Sequence, residues 1–223
     1  MNKSKGICYI VGAMPLEPEL VPQLQEHDFL IAADGGYAAL AASGIVPHLV
    51  VGDFDSLGSV PEHPNVHLLP CVKDDTDIGY AIKVGLEQGY TRFLLLGGVG
   101  GRLDHTIANL QLLEYLSCHD ALGILAGGGY AATTITNRSF SFPAACSGYC
   151  SVFCQGGTAR GITLEGLKYS LTDGELTERF PLGVSNEFLG IPARVSVQDG
   201  TLLLVWENHG SPIQLLTQQE DRP

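Results

Sequence analysis

Basic residues are scarce in this chain of 223 residues. It has 12 lysines and arginines against 24 aspartates and glutamates, which gives a formal net charge of −12 at pH 7. A protein that binds the phosphate backbone of a nucleic acid needs clusters of lysine and arginine. The composition therefore argues against a nucleic-acid partner. It leaves open a nucleotide as substrate, because a bound divalent cation can supply positive charge locally.

Long apolar runs are also absent. No stretch approaches the ~20 apolar residues that a transmembrane helix needs. The N-terminus, Met1–Lys5, leads into an apolar run of only Ile7–Val11, which is short for the apolar segment of a signal peptide. We therefore expect a cytoplasmic protein with no membrane partner.

The six cysteines do not have the spacing of familiar zinc sites, which use Cys-x2-Cys together with histidines or a second pair. Cys146, Cys150 and Cys154 are instead four residues apart, so that on one continuous strand all three would point to the same face. A chain of this size without a secretion signal keeps its cysteines as thiols. We expect buried thiols, with a metal or cluster site at these three residues as the alternative.

In the first half of the chain, apolar runs alternate with helical patterns. The runs are Ile7–Val11, Phe29–Ala33, Leu49–Val51, Val66–Leu69, Arg92–Leu96 and Leu122–Leu125. Helices are expected at Pro18–Gln25, Tyr37–Ala42, Ile78–Leu86 and Thr106–Leu116. Such alternation predicts a parallel sheet covered by helices on both faces.

From about Thr133, short β-prone runs replace the helical patterns. They are Ala132–Thr136, Tyr149–Phe153, Gly161–Leu164, Arg194–Gln198 and Thr201–Trp206. Asp199-Gly200 predicts a hairpin between the last two runs. Trp206, the single tryptophan, is expected in the core, and the polar tail after Ser211 is expected to fray.

The fold class is therefore α/β plus all-β. We predict a parallel-sheet α/β (Rossmann-like) domain over residues 1–130, followed by a small antiparallel β-sandwich over residues 131–223.

Aspartates follow several of the apolar runs in the first half. Asp53 and Asp55 lie in Gly-Asp-Phe-Asp-Ser, Asp77 ends Lys-Asp-Asp-Thr-Asp, and Asp104 lies near the end of a glycine-rich stretch. In an open parallel sheet, ligands bind beyond the carboxyl ends of the strands. Carboxylates that meet there repel one another unless a cation lies between them, and Mg²⁺ takes oxygen ligands that it shares with phosphates. The pattern predicts a Mg²⁺–nucleotide site at one edge of the sheet.

The first two acidic motifs also have simpler explanations. In extended backbone, Asp53 and Asp55 share one side while Phe54 points into the protein. A solvated acidic turn is the alternative. Lys73 offers a point charge to a phosphate. However, acids are common in the first turn of a helix, and Asp75 or Thr76 can cap the helix that follows.

The stretch Gly97–His105 (Gly-Gly-Val-Gly-Gly-Arg-Leu-Asp-His) is the most specific motif. Its glycines let the backbone approach a phosphate or a base closely. Arg102 offers a fork of donors to phosphate oxygens, and Asp104 can join the metal cluster or cap the next helix. The stretch matches neither the Walker pattern nor the dinucleotide fingerprint. A flexible glycine turn remains the alternative.

Two further segments place polar residues in turns. Asp34-Gly35-Gly36 ends the second apolar run and can reach the sugar or base of a nucleotide, although a plain strand-to-helix turn explains it equally well. In the second half, Ser185 and Asn186 offer neutral hydrogen-bonding groups to a ligand, or simply form a loop.

Taken together, these motifs resemble the thiamine pyrophosphokinase family. The matching blocks, in the family's order, are Ala33–Gly36, Gly52–Ser56, Lys73–Asp77, Gly97–His105, Gly166–Tyr169 and Val184–Glu187. No single block is decisive, but six in order are.

The resemblance implies an ATP-binding catalytic α/β domain, a thiamine-binding and dimerising β-sandwich, and a homodimer with its active sites at the subunit interface. The implied reaction takes ATP as co-substrate and converts thiamine to thiamine diphosphate with release of AMP. The catalytic set, four aspartates around Mg²⁺ and one arginine on the phosphates, corresponds here to Asp53, Asp55, Asp77, Asp104 and Arg102. The thiamine pocket corresponds to Ser185 and Asn186. Further ATP contacts are expected at Asp34, Gly35, Gly36, Lys73, Asp74, Thr76, Gly98, Gly101, His105 and Asn109.

Two other functions would use the same acids. A Mg²⁺-dependent nucleotide or diphosphate hydrolase would use water in place of thiamine as the nucleophile. A nucleotide-sensing module would bind ATP without turnover. The clustered acids argue against the sensing module, since a pure binder gains little from so many charges.

Overall fold

The computed structural model describes residues 5–55, 58–70 and 74–219, which form two compact units. The first unit runs to residue 112 and includes residues 125–128; the second contains residues 113–124 and continues from residue 129. The functional boundary predicted between residues 130 and 131 stays a prediction. None of the helices in the described ranges is long and apolar enough to cross a membrane.

The first unit is built on a parallel sheet with helices between its strands. The strands are β1 (Cys8–Val11), β2 (Phe29–Ala33), β3 (Leu49–Gly52), β4 (Val66–Leu68) and β5 (Arg92–Leu96), followed in the chain by β6 (Leu122–Gly127). The helices are α1 (Gly36–Ala42), α2 (Asp77–Glu87) and α3 (Leu103–Cys118), of which residues 113–118 belong to the second unit. The sheet order is β4-β3-β2-β1-β5, and its strands pair in parallel. The predicted α/β character is confirmed.

The central strands of this sheet are covered on both faces. Every residue of β1 and β3 is buried, and so are four of the five residues in β2 and in β5. This explains why these segments are apolar without alternation. Helix α1 starts so close to the sheet that a Cβ atom on Gly36 would lie 1.9 Å from the backbone oxygen of Val11. Only glycine fits at that contact.

The second unit is β-rich and antiparallel. Its strands are β7 (Tyr130–Thr136), β8 (Ser139–Phe142), β9 (Tyr149–Glu165), β10 (Leu171–Thr177), β11 (Asn186–Glu187), β12 (Ala193–Ser196) and β13 (Asp199–Glu207). The long β9 pairs with β10, β11, β12 and β13. Phe142 and Trp206 pack edge to face in the core, with ring centroids 5.3 Å apart. The prediction that Trp206 is buried is therefore confirmed.

Strand β9 unites two segments that were predicted as separate strands, Tyr149–Phe153 and Gly161–Leu164. Between them, Gly156 and Gly157 have φ angles of +69° and +110°. These left-handed glycines interrupt the regular backbone of β9 without ending the strand. The strands β8, β10 and β11 had not been predicted.

The hairpin predicted at Asp199-Gly200 is wrong. Both β12 and β13 pair with β9, and β13 lies between β7 and β9. Asn137 provides the reason. Its side-chain oxygen accepts a hydrogen bond from the Gly200 N–H at 2.8 Å, and its own N–H donates to the Gly200 oxygen at 3.1 Å. These bonds direct the start of β13 toward β7.

Two predictions near the chain ends are also wrong. The helix predicted over Pro18–Gln25 is a single 3-10 turn at Pro18–Leu20. Pro22 disfavours helical backbone in the residue before it, and Val21 is extended. At the other end, the segment expected to fray contains α4 (Ile213–Gln218), whose Leu215 and Leu216 are buried.

Candidate active site

Three carboxylates converge at the edge of the sheet where the parallel strands end. Asp34 follows β2, and Asp53 and Asp55 follow the neighbouring β3. Each offers an oxygen atom, and these oxygens lie within 4.8 Å of one another. Like charges this close are unfavourable without a cation between them. The donor set consists of carboxylate oxygens, which suits a hard divalent cation such as Mg²⁺.

The prediction of extended backbone at Asp53–Asp55 is wrong. Phe54 has a φ of +58°, in the left-handed region that bulky residues rarely adopt. Its side chain is only 2% exposed, so burial of the ring holds this conformation. Phe54 does point into the protein, as expected. The turn also brings the Asp55 N–H to 3.3 Å from Asp53 Oδ1.

Asp34 belongs to this cluster of three carboxylates, although the sequence suggested that it contacts the sugar or base of a nucleotide. Its N–H donates to the Val51 oxygen at 2.7 Å, which fixes the end of β2 against β3. Its φ of +46° is also left-handed. The sequence signal for it is its position directly after an apolar strand, whereas the pairing of that strand with β3 is seen only in the structure.

An open cleft of about 300 Å³ lies in the first unit beside these acids. Its walls are Gly12, Ala13, Ala33, Asp34, Asp53, Asp75, Thr76, Asp77, Ile78, His105, Ala108 and Asn109. The cleft thus gathers six of the predicted site residues: Asp34, Asp53, Thr76, Asp77, His105 and Asn109. Gly12 and Ala13, which were not predicted, follow β1 and are identifiable by the same strand-end rule. Ile78 and Ala108 lie on helices, where the sequence gives no such signal.

Helix α2 begins at this cleft. The Thr76 hydroxyl caps it by accepting a hydrogen bond from the Gly79 N–H at 3.0 Å, and Asp77 is the first helical residue. First-turn N–H groups lack acceptors within a helix and carry partial positive charge, which suits a phosphate. Lys83 Nζ lies 2.6 Å from Asp75 Oδ2 and offsets one of the acids in this wall.

The glycine-rich stretch connects β5 to α3. Gly97 has a φ of +62°, and its carbonyl accepts a hydrogen bond from the Met14 N–H at 3.0 Å. The Asn109 side-chain amide donates to the Gly98 oxygen at 2.8 Å. Helix α3 begins at Leu103, so Asp104 lies within its first turn. The prediction that Asp104 caps this helix is wrong.

Arg102 and Asp104 bind each other at the start of α3. The Nε–Oδ1 and Nη2–Oδ2 distances are 3.2 and 2.6 Å. The hydrogen bond from Arg102 holds the pKa of Asp104 below its ordinary value. Both side chains are exposed, by 71% and 65%, and neither lines the cleft. The phosphate role of Arg102 and the metal role of Asp104 stay predictions.

The other predicted nucleotide contacts are not brought to the cleft wall. Gly35 and Gly36 form the start of α1, and Asp74 and Gly101 are exposed. Gly98 is buried beneath Asn109. Lys73 lies outside the described residues.

The residues predicted to bind thiamine lie in the second unit. Asn186 is buried, and its side chain holds the backbone of Tyr169: Oδ1 accepts from the Tyr169 N–H at 2.9 Å and Nδ2 donates to the Tyr169 oxygen at 2.7 Å. Ser185 is exposed and has a φ of +61°. The thiamine role of both residues stays a prediction.

The described cysteines are free, and none of them lies in the candidate metal cluster of Asp34, Asp53 and Asp55. Burial raises the pKa of the Cys150 thiol to about 12. Cys146 precedes β9 and lies in a turn in which its N–H donates to the Pro143 oxygen, so the three spaced cysteines do not share one strand. These observations favour thiols over a metal site at Cys146, Cys150 and Cys154. Cys71 lies outside the described residues.

Comparison with known proteins adds independent observations. The family model described as thiamin pyrophosphokinase, catalytic domain, matches residues 21–124. The model described as thiamin pyrophosphokinase, vitamin B1 binding domain, matches residues 134–202. The two matches follow one another in the chain and account for most of it.

Individual relatives agree with these models. The thiamine pyrophosphokinase of Bacillus subtilis (strain 168) is 27% identical over 210 residues, which cover 87% of this chain and 94% of that protein. The crystal structure of thiamine pyrophosphokinase from Bacillus subtilis matches with a TM-score of 0.80 and 26% identity, over 91% of this chain and 99% of that one. The structure of thiamin pyrophosphokinase from Geobacillus thermodenitrificans matches with a TM-score of 0.77 and 28% identity, over 91% and 97%.

Proposed function

This chain belongs to the thiamin pyrophosphokinase family, and we propose that it transfers the diphosphoryl group of ATP to the hydroxyethyl oxygen of thiamine, giving thiamine diphosphate and AMP. The observation in the structure that best supports this function is the acid-lined cleft at the carboxyl edge of the parallel sheet. Ligands of such sheets bind at this edge.

The cluster of three carboxylates suits a divalent cation, and we propose Mg²⁺ as the metal. Asp34, Asp53 and Asp55 would hold it, with Asp77 on the opposite helix as a further ligand. When bound, the ion would neutralise charge on the phosphate oxygens of ATP. Without the ion, so many acids would repel a triphosphate.

Side chains and backbone groups of the chain would accept the proton and bind the phosphates. In the transfer, the thiamine hydroxyl oxygen forms a bond to the β-phosphorus. The bond between the β-phosphorus and the oxygen that bridges it to the α-phosphorus breaks, and AMP leaves with that electron pair. Asp55 or Asp77 would accept the hydroxyl proton. The N-terminus of α2 would stabilise phosphate oxygens, and Arg102 would reach them after releasing Asp104. An exposed ion pair opens at little cost.

We assign thiamine to the second unit, with Ser185 and Asn186 near it, because the vitamin B1 binding model spans both residues. We further propose that the first unit is Rossmann-like and that the second is a β-sandwich.

We also propose a homodimer. Large apolar side chains are exposed in the segment 180–191 of the second unit, at Phe180, Leu182, Leu189 and Ile191, and a dimer contact would bury them.

We propose the cytoplasm as the location of the protein, because its free thiols suit a reducing compartment.

The test is a product assay by mass spectrometry with ATP and Mg²⁺, with and without thiamine. The proposed function requires thiamine diphosphate and AMP in equal amounts, and neither product when thiamine is left out. Release of nucleotide products without thiamine would instead indicate a hydrolase. ATP binding without any product would indicate a sensing module.

A further inference from the structure

Asn109 is a buried polar residue in the wall of the cleft. It lies on α3, is 4% exposed, and is among the few buried polar side chains in the described parts of the chain. Its Nδ2 donates to the Gly98 oxygen at 2.8 Å. The contact is close enough that a Cβ atom on Gly98 would lie 2.8 Å from Nδ2.

This bond fixes which end of the amide faces the cleft. A carbonyl oxygen such as that of Gly98 can face only the NH₂ end, because two oxygens at that distance repel each other. Oδ1 is therefore turned away from Gly98. No group within residues 5–55, 58–70 and 74–219 donates a hydrogen bond to Oδ1. Asn109 thus presents a fixed acceptor to the cleft.

The order of the strands places this acceptor on one side of the site. Asp34 and Asp53 follow β2 and β3, whereas Gly98 follows β5, and β1 lies between β2 and β5. Asn109 therefore lies away from Asp34 and Asp53, with the small residues Gly12 and Ala13 of the cleft between them. A nucleotide whose phosphates lie at Asp34 and Asp53 has its nucleoside part free to reach Asn109.

We propose that Asn109 is a specificity-determining residue, whose Oδ1 accepts a hydrogen bond from the nucleoside part of the nucleotide. This inference rests on the proposed function. The donor is either the exocyclic amino group of the base or a ribose hydroxyl. An acceptor that a bound nucleotide shields from water is left unsatisfied when its partner is missing, and sites built in this way reject analogues that lack the donor.

Nucleotide analogues identify the donor. Inosine triphosphate replaces the amino group of adenine with an oxygen, and 2′-deoxy-ATP and 3′-deoxy-ATP each lack one hydroxyl. The unaltered protein should lose about 10-fold or more in kcat/KM with one of these analogues relative to ATP. In Asn109→Ala, activity with ATP should fall, and the discrimination against that same analogue should fall to within about twofold. Damage to the fold alone would lower all four rates together and leave the ratios unchanged.

Asn208→Ala is the matched control. Asn208 also donates from Nδ2 to a glycine oxygen, that of Gly210 at 2.6 Å, but it lies in the second unit. This variant should keep the full discrimination. If Asn109→Ala does not fold, Asn109→Ser takes its place, since the shorter side chain also cannot present the same acceptor.

The inference is overturned if the unaltered protein treats all four nucleotides alike, or if Asn109→Ala still discriminates as the unaltered protein does. Either result leaves the proposed function standing as long as thiamine diphosphate is made. If no product forms, calorimetric binding of the same nucleotides tests the inference by the ratio of their dissociation constants. A protein that binds none of them refutes both.

Discussion

The guanidinium of Arg102 binds both carboxylate oxygens of Asp104 through hydrogen bonds of 3.2 and 2.6 Å. The sequence suggested separate tasks for these residues, phosphate binding for one and metal binding for the other. The structure instead pairs them outside the cleft wall. A working site that uses either residue as proposed must therefore compete with this pairing.

This pairing predicts the titration of Asp104. Because Arg102 stabilises the charged carboxylate, the folded-state pKa is lowered, so the pair is intact at neutral pH and is lost as the pH falls through that pKa. Both side chains are exposed, so the pair adds little to stability. A carbon-detected NMR titration should show the Asp104 pKa rising toward its ordinary value in Arg102→Ala. An unchanged pKa in that variant would mean that the two groups do not pair in solution.

Arg102→Ala should also raise the KM for ATP about 10-fold, because a charged hydrogen-bond donor to phosphate is lost. Steady-state kinetics over a range of ATP concentrations measures this. Arg160→Ala is the control, since Arg160 is likewise exposed and paired with an acid, Glu175, but lies in the second unit. Equal KM values in both variants would contradict the phosphate role.

Asp55→Asn should lose about 100-fold or more in kcat while the protein stays folded. Asp55 is exposed, and its carboxylate lies within 4.8 Å of those of Asp34 and Asp53, so the change removes a ligand charge without disturbing the core. Turnover and circular dichroism are measured together, with Asp199→Asn in the second unit as control. Near-normal turnover in Asp55→Asn would remove this residue from the site.

Gly36→Ala should destabilise the first unit by about 3 kcal/mol or more, because the added methyl group overlaps the backbone oxygen of Val11 at 1.9 Å. Backbone atoms cannot move aside as a flexible side chain does. Urea unfolding measures the loss. Gly210→Ala is the control, since a Cβ atom there meets no atom within 4 Å. Equal stability of the two variants would refute the close contact of α1 with β1.

The cysteines should differ sharply in reactivity at pH 8. Burial raises the pKa of Cys150 to about 12, so its thiol stays protonated and unreactive, whereas Cys118 is exposed. Alkylation with iodoacetamide, followed by peptide mass spectrometry, should label Cys118 in the folded protein and Cys150 only after denaturation. Rapid labelling of Cys150 in the folded protein would contradict its burial.

The continuous apolar strands were predicted from the sequence with the greatest accuracy. The bounds of β2 and β5 were predicted to the residue, because burial on both faces demands an unbroken apolar run. The pairing of β12 and β13 was not predicted. A hairpin signal is local, whereas the partners of these strands are decided by residues far away in the chain, such as Asn137.

By itself, the sequence determined which segments are strands of a buried parallel sheet and which acids follow them. It thereby predicted one acidic edge, since parallel strands all end on the same side. Only the tertiary structure decided which acids meet. Pairing of β2 with β3 brings Asp34 to Asp53, the left-handed turn at Phe54 adds Asp55, and a neighbouring arginine binds Asp104. Distances between side chains from different strands depend on register, turn geometry and competing partners, and a linear motif records none of these.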